Sequence, residues 1–368
     1  TFYPKTKGMK DYILDREEDG TYTLSQGTQH KYFFNADGEL EKIEDSSKNN
    51  ITLNRSIENK LIVEESTSGQ FLTINYSDKG LIDSVTDKIG RTSEFKYDEN
   101  NNLMNIKKPN GELHHYTYDE KGYIKTATDA EGNVYLTNTY DDSGRVIMQD
   151  DGVEGNLKST LTYSRDENEK LDVTTVSDRM GNTKKMWFDT YGNLVKAKDE
   201  LGNQTEYSYN KHGNKTSMKS PKGAMYSYKY DEKGNLINLE EPEGANTTLY
   251  YDEKGNVNSA TGINNKGEYK NTYDELNRLK NTQNLNGVKS TFTYNQNGQV
   301  ISESIEGLGA IEYTYENGQI KTHKDFRGNI KTYEYDEIGR KISETSSEGL
   351  KTSYVYDVNS NVIKMTDS

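Results

Sequence analysis

At 368 residues the chain is long enough for two or three ordinary domains, yet only 30% of its residues are hydrophobic, 29% are charged, and mean hydropathy is −1.05. The net charge of −14, from 46 basic and 60 acidic side chains, argues against nucleic acid as a partner, because phosphate neutralisation needs a surplus of Lys and Arg. The absence of Cys excludes disulfides, thiolate metal sites and a Cys nucleophile, and no apolar run approaches the ~18–20 residues of a membrane-spanning helix. Against this polar background stand 29 Tyr, with 8 Phe and 1 Trp. Tyr buries a large ring and leaves its hydroxyl at a wet edge, so it suits a thin core. The opening Thr1-Phe2-Tyr3-Pro4 has no initiator Met or signal peptide, and the chain is read as a fragment of a longer polypeptide.

Taken from the N-terminus, a degenerate stretch over 1–75 carries weak copies of a repeat at Leu14-Asp15, Phe34-Asn35 and Leu53-Asn54. The regular region spans 76–368 and continues the first part as one repeat domain. It is marked by Tyr97-Asp98, Tyr118-Asp119, Tyr140-Asp141, Tyr230-Asp231, Tyr251-Asp252, Tyr273-Asp274, Tyr335-Asp336 and Tyr356-Asp357. Variants at Tyr76-Ser77, Tyr163-Ser164, Phe188-Asp189, Tyr209-Asn210, Tyr294-Asn295 and Tyr315-Glu316 fill the gaps. Most steps are 20–22 residues, which gives about 17 units, and a fixed period of that size marks an array of one repeated supersecondary unit.

The stretch Tyr226 to Gly244 explains the unit. Tyr226, Tyr228 and Tyr230 alternate, so their rings share one face of a strand. The Asp231 carboxylate is placed to accept backbone N–H groups of the residues after it. Gly234 stands where a type I turn plus bulge needs positive φ. Leu236 begins the return strand, and Glu241-Pro242-Glu243-Gly244 turns into the next unit. Gly122, Gly144, Gly192, Gly213, Gly255, Gly298 and Gly339 hold the position of Gly234; Asn101 and Asn277 replace it where Gly is missing, as a left-handed backbone site requires. Ser360 breaks the pattern, and the last unit is read as frayed. One hairpin is marginal alone, whereas stacked hairpins share ladders and faces. The predicted fold is therefore all-β: about 17 antiparallel hairpins in one long sheet, its edge on the order of 160 Å. Twist forbids a flat ribbon of that length, so it curves or spirals into a partial hollow shell or barrel-like spiral.

The motif running from Gly234-Asn235-Leu236 through Tyr250-Tyr251-Asp252 to Gly255-Asn256 resembles the YD-repeat, or RHS-repeat, family. A second copy runs from Gly192-Asn193-Leu194 through Asp199-Glu200-Leu201-Gly202-Asn203 to Tyr207-Ser208-Tyr209. That family includes bacterial RHS polymorphic toxins, wall-associated proteins of Gram-positive bacteria, toxin-complex shell proteins and teneurins. The resemblance implies a hairpin ribbon spiralling into a hollow shell that often encloses a C-terminal toxin domain; the expected setting is a secreted or cell-wall-associated bacterial protein, and the Lys/Asn/Glu-rich, Cys-free composition fits a Gram-positive source. The toxin-bearing members end their repeats in a segment with a DPxG-like motif. No Asp-Pro dipeptide occurs here, so the autocleavage site and the toxin are expected outside this chain, and the ribbon is expected to be an open or partial spiral.

No chemical constellation competes with this reading. His30, His114, His115, His212 and His323 lack ligand spacing, and no nucleophile elbow, HExxH or P-loop is present. Asp141-Asp142-Ser143-Gly144 and Asp150-Asp151-Gly152 offer oxygen ligands without the spacing of a calcium loop. Trp187 either fills extra core space or marks an exposed contact. No catalytic, cofactor or metal residue is assigned; the Tyr, Asp and Gly positions above are structural. The expected function is a non-enzymatic shell or scaffold whose partners are further repeats and a C-terminal effector of its own polypeptide. The alternative is a surface array that binds glycans on exposed Tyr rows.

Overall fold

The computed structural model describes residues 12–27, 29–152, 158–262 and 267–368; the opening Thr1-Phe2-Tyr3-Pro4 lies outside them. Among the described residues there are 34 strands, from Tyr12–Arg16 to Val362–Asp367, and a single short 3-10 turn at Pro242–Gly244. Each strand pairs antiparallel with its neighbours in the chain, so the whole is one uninterrupted meander of 17 hairpins. Only neighbouring strands pair, which is what a two-period pattern with a turn every ten or so residues dictates.

Two kinds of pairing alternate. Within a hairpin, the strand Met225–Tyr230 faces Leu236–Glu240 through Tyr228↔Leu239 and Lys229↔Asn238. The register then slips, and Tyr230 faces Leu236. Between hairpins the ladder is shorter: Asn238↔Thr248, Leu239↔Thr247 and Glu240↔Asn246, with Leu236 left outside it. The strands therefore splay at the Tyr-Asp end of such units, whereas Leu171–Ser177 and Thr183–Phe188 stay paired as far as Asp172↔Phe188.

The core differs from the thin Tyr core predicted from composition. Among the described residues only Leu61, Ala127 and Val173 are buried hydrophobics. The sheet is a single layer with no second sheet to cover it, so the marker Tyr rings are half-buried against their neighbours along the ribbon, while Tyr191 and Tyr250 are exposed. Cohesion comes from the ladder and from side chains lying along the sheet.

The ribbon also returns on itself. The Asn49 side-chain amide donates to the Asn297 carbonyl at 2.8 Å, that of Gln70 to the Glu337 carbonyl at 2.8 Å, and the Arg91 guanidinium to the Val358 carbonyl at 3.0 Å. These partners are 248 to 267 residues apart. They run in the same direction along both edges, from Asn49 to Arg91 over two hairpins on one and from Asn297 to Val358 over three on the other. After about 24 strands the Tyr-Asp turns of one lap meet the return turns of the lap before it. The expected open spiral is thus a ribbon that completes one lap and begins a second.

Candidate functional site

The functional feature of such a ribbon is its wall, built from a five-residue turn. In Asp231–Asn235, the Gly234 N–H donates to the Asp231 carbonyl and the Asp231 N–H to the Asn235 carbonyl. The Asp231 Oδ1 accepts the Asn235 N–H at 2.8 Å, and Oδ2 accepts the Asn235 side-chain amide at 2.9 Å. The same arrangement holds at Asp98, Asp119, Asp252 and Asp357 through the N–H groups of Asn102, Tyr123, Asn256 and Asn361. At Asp141, Asp274 and Asp336 an arginine fills the fifth position, and its Nε–H donates to the carboxylate. Gly122, Gly144, Gly213, Gly234, Gly255 and Gly339 have φ between +72° and +90°, and Asn101 and Asn277 both stand at +66°. Side-chain amides hold several carboxyls below the usual carboxylate range, Asn102 acting on Asp98 and Asn361 on Asp357.

The return end carries the same turn. Asp87–Arg91, Asp129–Asn133, Asp178–Asn182, Asp199–Asn203 and Asp325–Asn329 repeat it bond for bond. The sequence reading treated that end as a mere second turn. The Gly-Asn and Gly-Arg pairs that follow each Asp by three residues were the available signal.

The marker tyrosine does more than fill space. The Tyr118 hydroxyl donates to the Leu103 carbonyl at 2.8 Å, Tyr209 to Leu194 at 2.9 Å, Tyr230 to Lys215 at 2.8 Å, Tyr251 to Leu236 at 2.7 Å, and Tyr356 to Lys341 at 2.7 Å. Tyr140 and Tyr273 reach Ile124 and Val257 at 2.8 and 2.9 Å. Each acceptor is the residue that faces the preceding unit's marker aromatic across the register slip, as Leu236 faces Tyr230. The splay leaves that carbonyl without a ladder partner, and a half-buried carbonyl must find one. Tyr97 and Tyr335 occupy the same register, facing Leu103 and Lys341. Burial pushes the phenols of Tyr118, Tyr209, Tyr230 and Tyr251 upward, so they stay neutral donors.

Arginine in the turn adds a second link. The guanidinium carbons of Arg278 and Arg340 lie 4.4 and 4.7 Å from the ring centres of Tyr294 and Tyr356, one hairpin on, a cation–π geometry. Trp187 faces the buried Val173 across the ladder and carries the Lys196 ammonium 4.6 Å from its ring centre, so it packs within the wall. The Asp141 carboxylate is taken up by Ser143 and Arg145, and His115 bonds Asn105 at 2.9 Å. Ser360 corrects the sequence reading. Its φ is +70° and its N–H donates to the Asp357 carbonyl, so the last turn is formed in full, not frayed.

No curated protein matches the chain. It is similar in structure to "TcdB2-TccC3-TEV", with a TM-score of 0.56 and 14% identity over 97% of this chain and 22% of that one. It is also similar to "TcdB2-TccC3", with a TM-score of 0.53 at 14% identity over 97% and 23%. A further match is the "Photorhabdus luminescens Tc holotoxin pore, Mutation TccC3-D651A", with a TM-score of 0.52 at 14% identity over 97% and 22%. The chain thus spans under a quarter of the length of these structures, and at such identity the likeness is one of fold. The sequence profile of the Teneurin YD-shell family matches residues 20–171 and 124–256, well over half the chain. By its sequence, and with a ribbon fold that agrees, the chain belongs to the Teneurin YD-shell family.

Proposed function

We propose that this ribbon is a non-enzymatic shell segment of a secreted protein, and that it encloses or presents an effector segment of its own polypeptide. The observation that carries the reading is the lap-to-lap contact of Asn49, Gln70 and Arg91 with turns about 250 residues later. A lap of about 24 strands at ~4.8 Å spacing has a circumference of roughly 115 Å and a diameter of about 37 Å. Such a lap leaves room inside for a chain segment. The degenerate residues 1–75 and the regular residues 76–368 act in it as one repeat domain, and the Tyr-Asp-Gly signature builds its wall. The engagement of the marker hydroxyls by backbone carbonyls supports a wall over a sugar-stacking platform.

Electron cryomicroscopy of the full polypeptide that carries this ribbon, combined with limited proteolysis, tests the proposal. The expected result is density for a non-repeat segment within the laps, cleaved slowly until the ribbon is unfolded. An empty ribbon whose non-repeat segment is cleaved at the rate of an unfolded peptide would overturn it.

A further inference from the structure

We propose that Arg91 and Ser360 form a clasp that fixes one lap of the ribbon on the next. At the position of Ser360 the sister turns place Gly122, Gly144, Gly234, Gly255 and Gly339, or the permissive Asn101 and Asn277. Ser360 takes the same left-handed conformation, φ +70°, without either advantage. Local turn chemistry therefore does not explain the serine.

Its surroundings do. The Ser360 hydroxyl lies 2.6 Å from the Arg91 guanidinium of the earlier lap and 3.2 Å from the Arg340 guanidinium of the preceding hairpin. Arg91 also donates to the Val358 carbonyl at 3.0 Å, while its Nε stays on Asp87 of its own turn at 2.6 Å. One guanidinium thus completes a return turn and reaches across the joint, and one hydroxyl receives arginines from two directions. Guanidinium suits this task because its fork of donors serves several acceptors at once. The Asn49–Asn297 and Gln70–Glu337 bonds lie farther back along the same joint. Elsewhere along it, Gly298 lies close to the Ser47 side chain and Gly318 close to the Thr67 methyl, so a Cβ at either would press on the earlier lap. Openings of about 520 and 560 Å³, lined by Arg91, Lys108, Pro109 and Val358 among others, flank the clasp.

Both residues have natural substitutes in sister turns. Ser360→Gly restores the residue of Gly339, and Arg91→Asn places in that turn the carboxylate-capping residue of Asn133, without the guanidinium that meets the Ser360 hydroxyl. Each keeps its own turn and removes the clasp. Because the chain has no Cys, Lys96→Cys and Lys364→Cys permit a pair of nitroxide labels on the strands either side of the joint. Pulsed electron resonance is expected to give a narrow distance distribution in the parent chain. It should broaden about twofold in either variant, because the joint opens locally, and the double variant should be no broader than the singles. An unchanged distribution in Ser360→Gly, or broadening in the double variant equal to the sum of the two singles, would overturn the clasp. Should Arg91→Asn lose its strand circular dichroism, Ser360→Gly alone decides.

Discussion

At the scale of single residues, the chain separates what a side chain buries from what its polar end does. The Tyr230 ring is only half-buried, while its hydroxyl donates to the Lys215 carbonyl, which the splayed ladder leaves open. Tyr230→Phe is therefore expected to keep the fold and cost about 1 kcal/mol, the worth of one such bond, as read from a denaturant midpoint. An unchanged midpoint would show that the hydroxyl is dispensable. Gly234, with φ +90°, makes a sharper contrast. Gly234→Val should cost roughly 3 kcal/mol because a β-branched residue resists that conformation, and Gly234→Asn under about 1 kcal/mol. Equal melting temperatures for the two would refute the turn geometry. The glycine requirement was legible from the Gly/Asn exchange. The hydroxyl bond was not, because it joins Tyr251 to Leu236 in the preceding unit and depends on a register slip that no one-dimensional period reveals.

At the scale of the element, one turn recurs at both ends of many hairpins, and where it carries Asp the carboxylate sets its response to acid. The carboxyls of Asp98, Asp129, Asp178, Asp199, Asp325 and Asp357 are lowered, in each case first by the amide of the Asn four residues on. A folded-state value below the unfolded one means that the stabilisation is complete above the unfolded value, near pH 4, and is lost as pH falls through the folded value. The ribbon is expected to be insensitive to pH from about 5 to 7 and to melt progressively below about pH 4, as followed by circular dichroism. Asn210 already fills the Asp position in one turn, accepting the N–H groups of His212 and Asn214. Asp98→Asn should accordingly fold at neutral pH and flatten the acid limb; a limb as steep as the parent's would locate the acid response elsewhere. Strands, turns and their spacing could be read from the sequence because each is local. The equivalence of the two turn types was hidden by variants such as Glu241-Pro242-Glu243-Gly244.

At the scale of the whole molecule, the joint between laps imposes a constraint that no single hairpin carries. Its pairs follow one order along both edges, Asn49 with Asn297 and Arg91 with Val358. Duplicating one hairpin between residues 92 and 296 should therefore shift every pair by one unit and separate Arg91 from Ser360. The strand content should rise while the label distance across the joint broadens; an unaltered distance would mean that the laps do not register by their turns. Curvature was foreseeable from twist, but the number of strands per lap was not. It is set by small rotations summed over two dozen strands, and a sequence period shows no such sum.

The single layer has a mechanical consequence. With no second sheet behind it among the described residues, each hairpin is held by its neighbours in the ribbon and, where laps meet, by a few side chains. Pulled from its C-terminal end, the ribbon should unravel like knitting, row by row. Each row would release about 21 residues, or roughly 70 Å of slack, at a modest and nearly constant force.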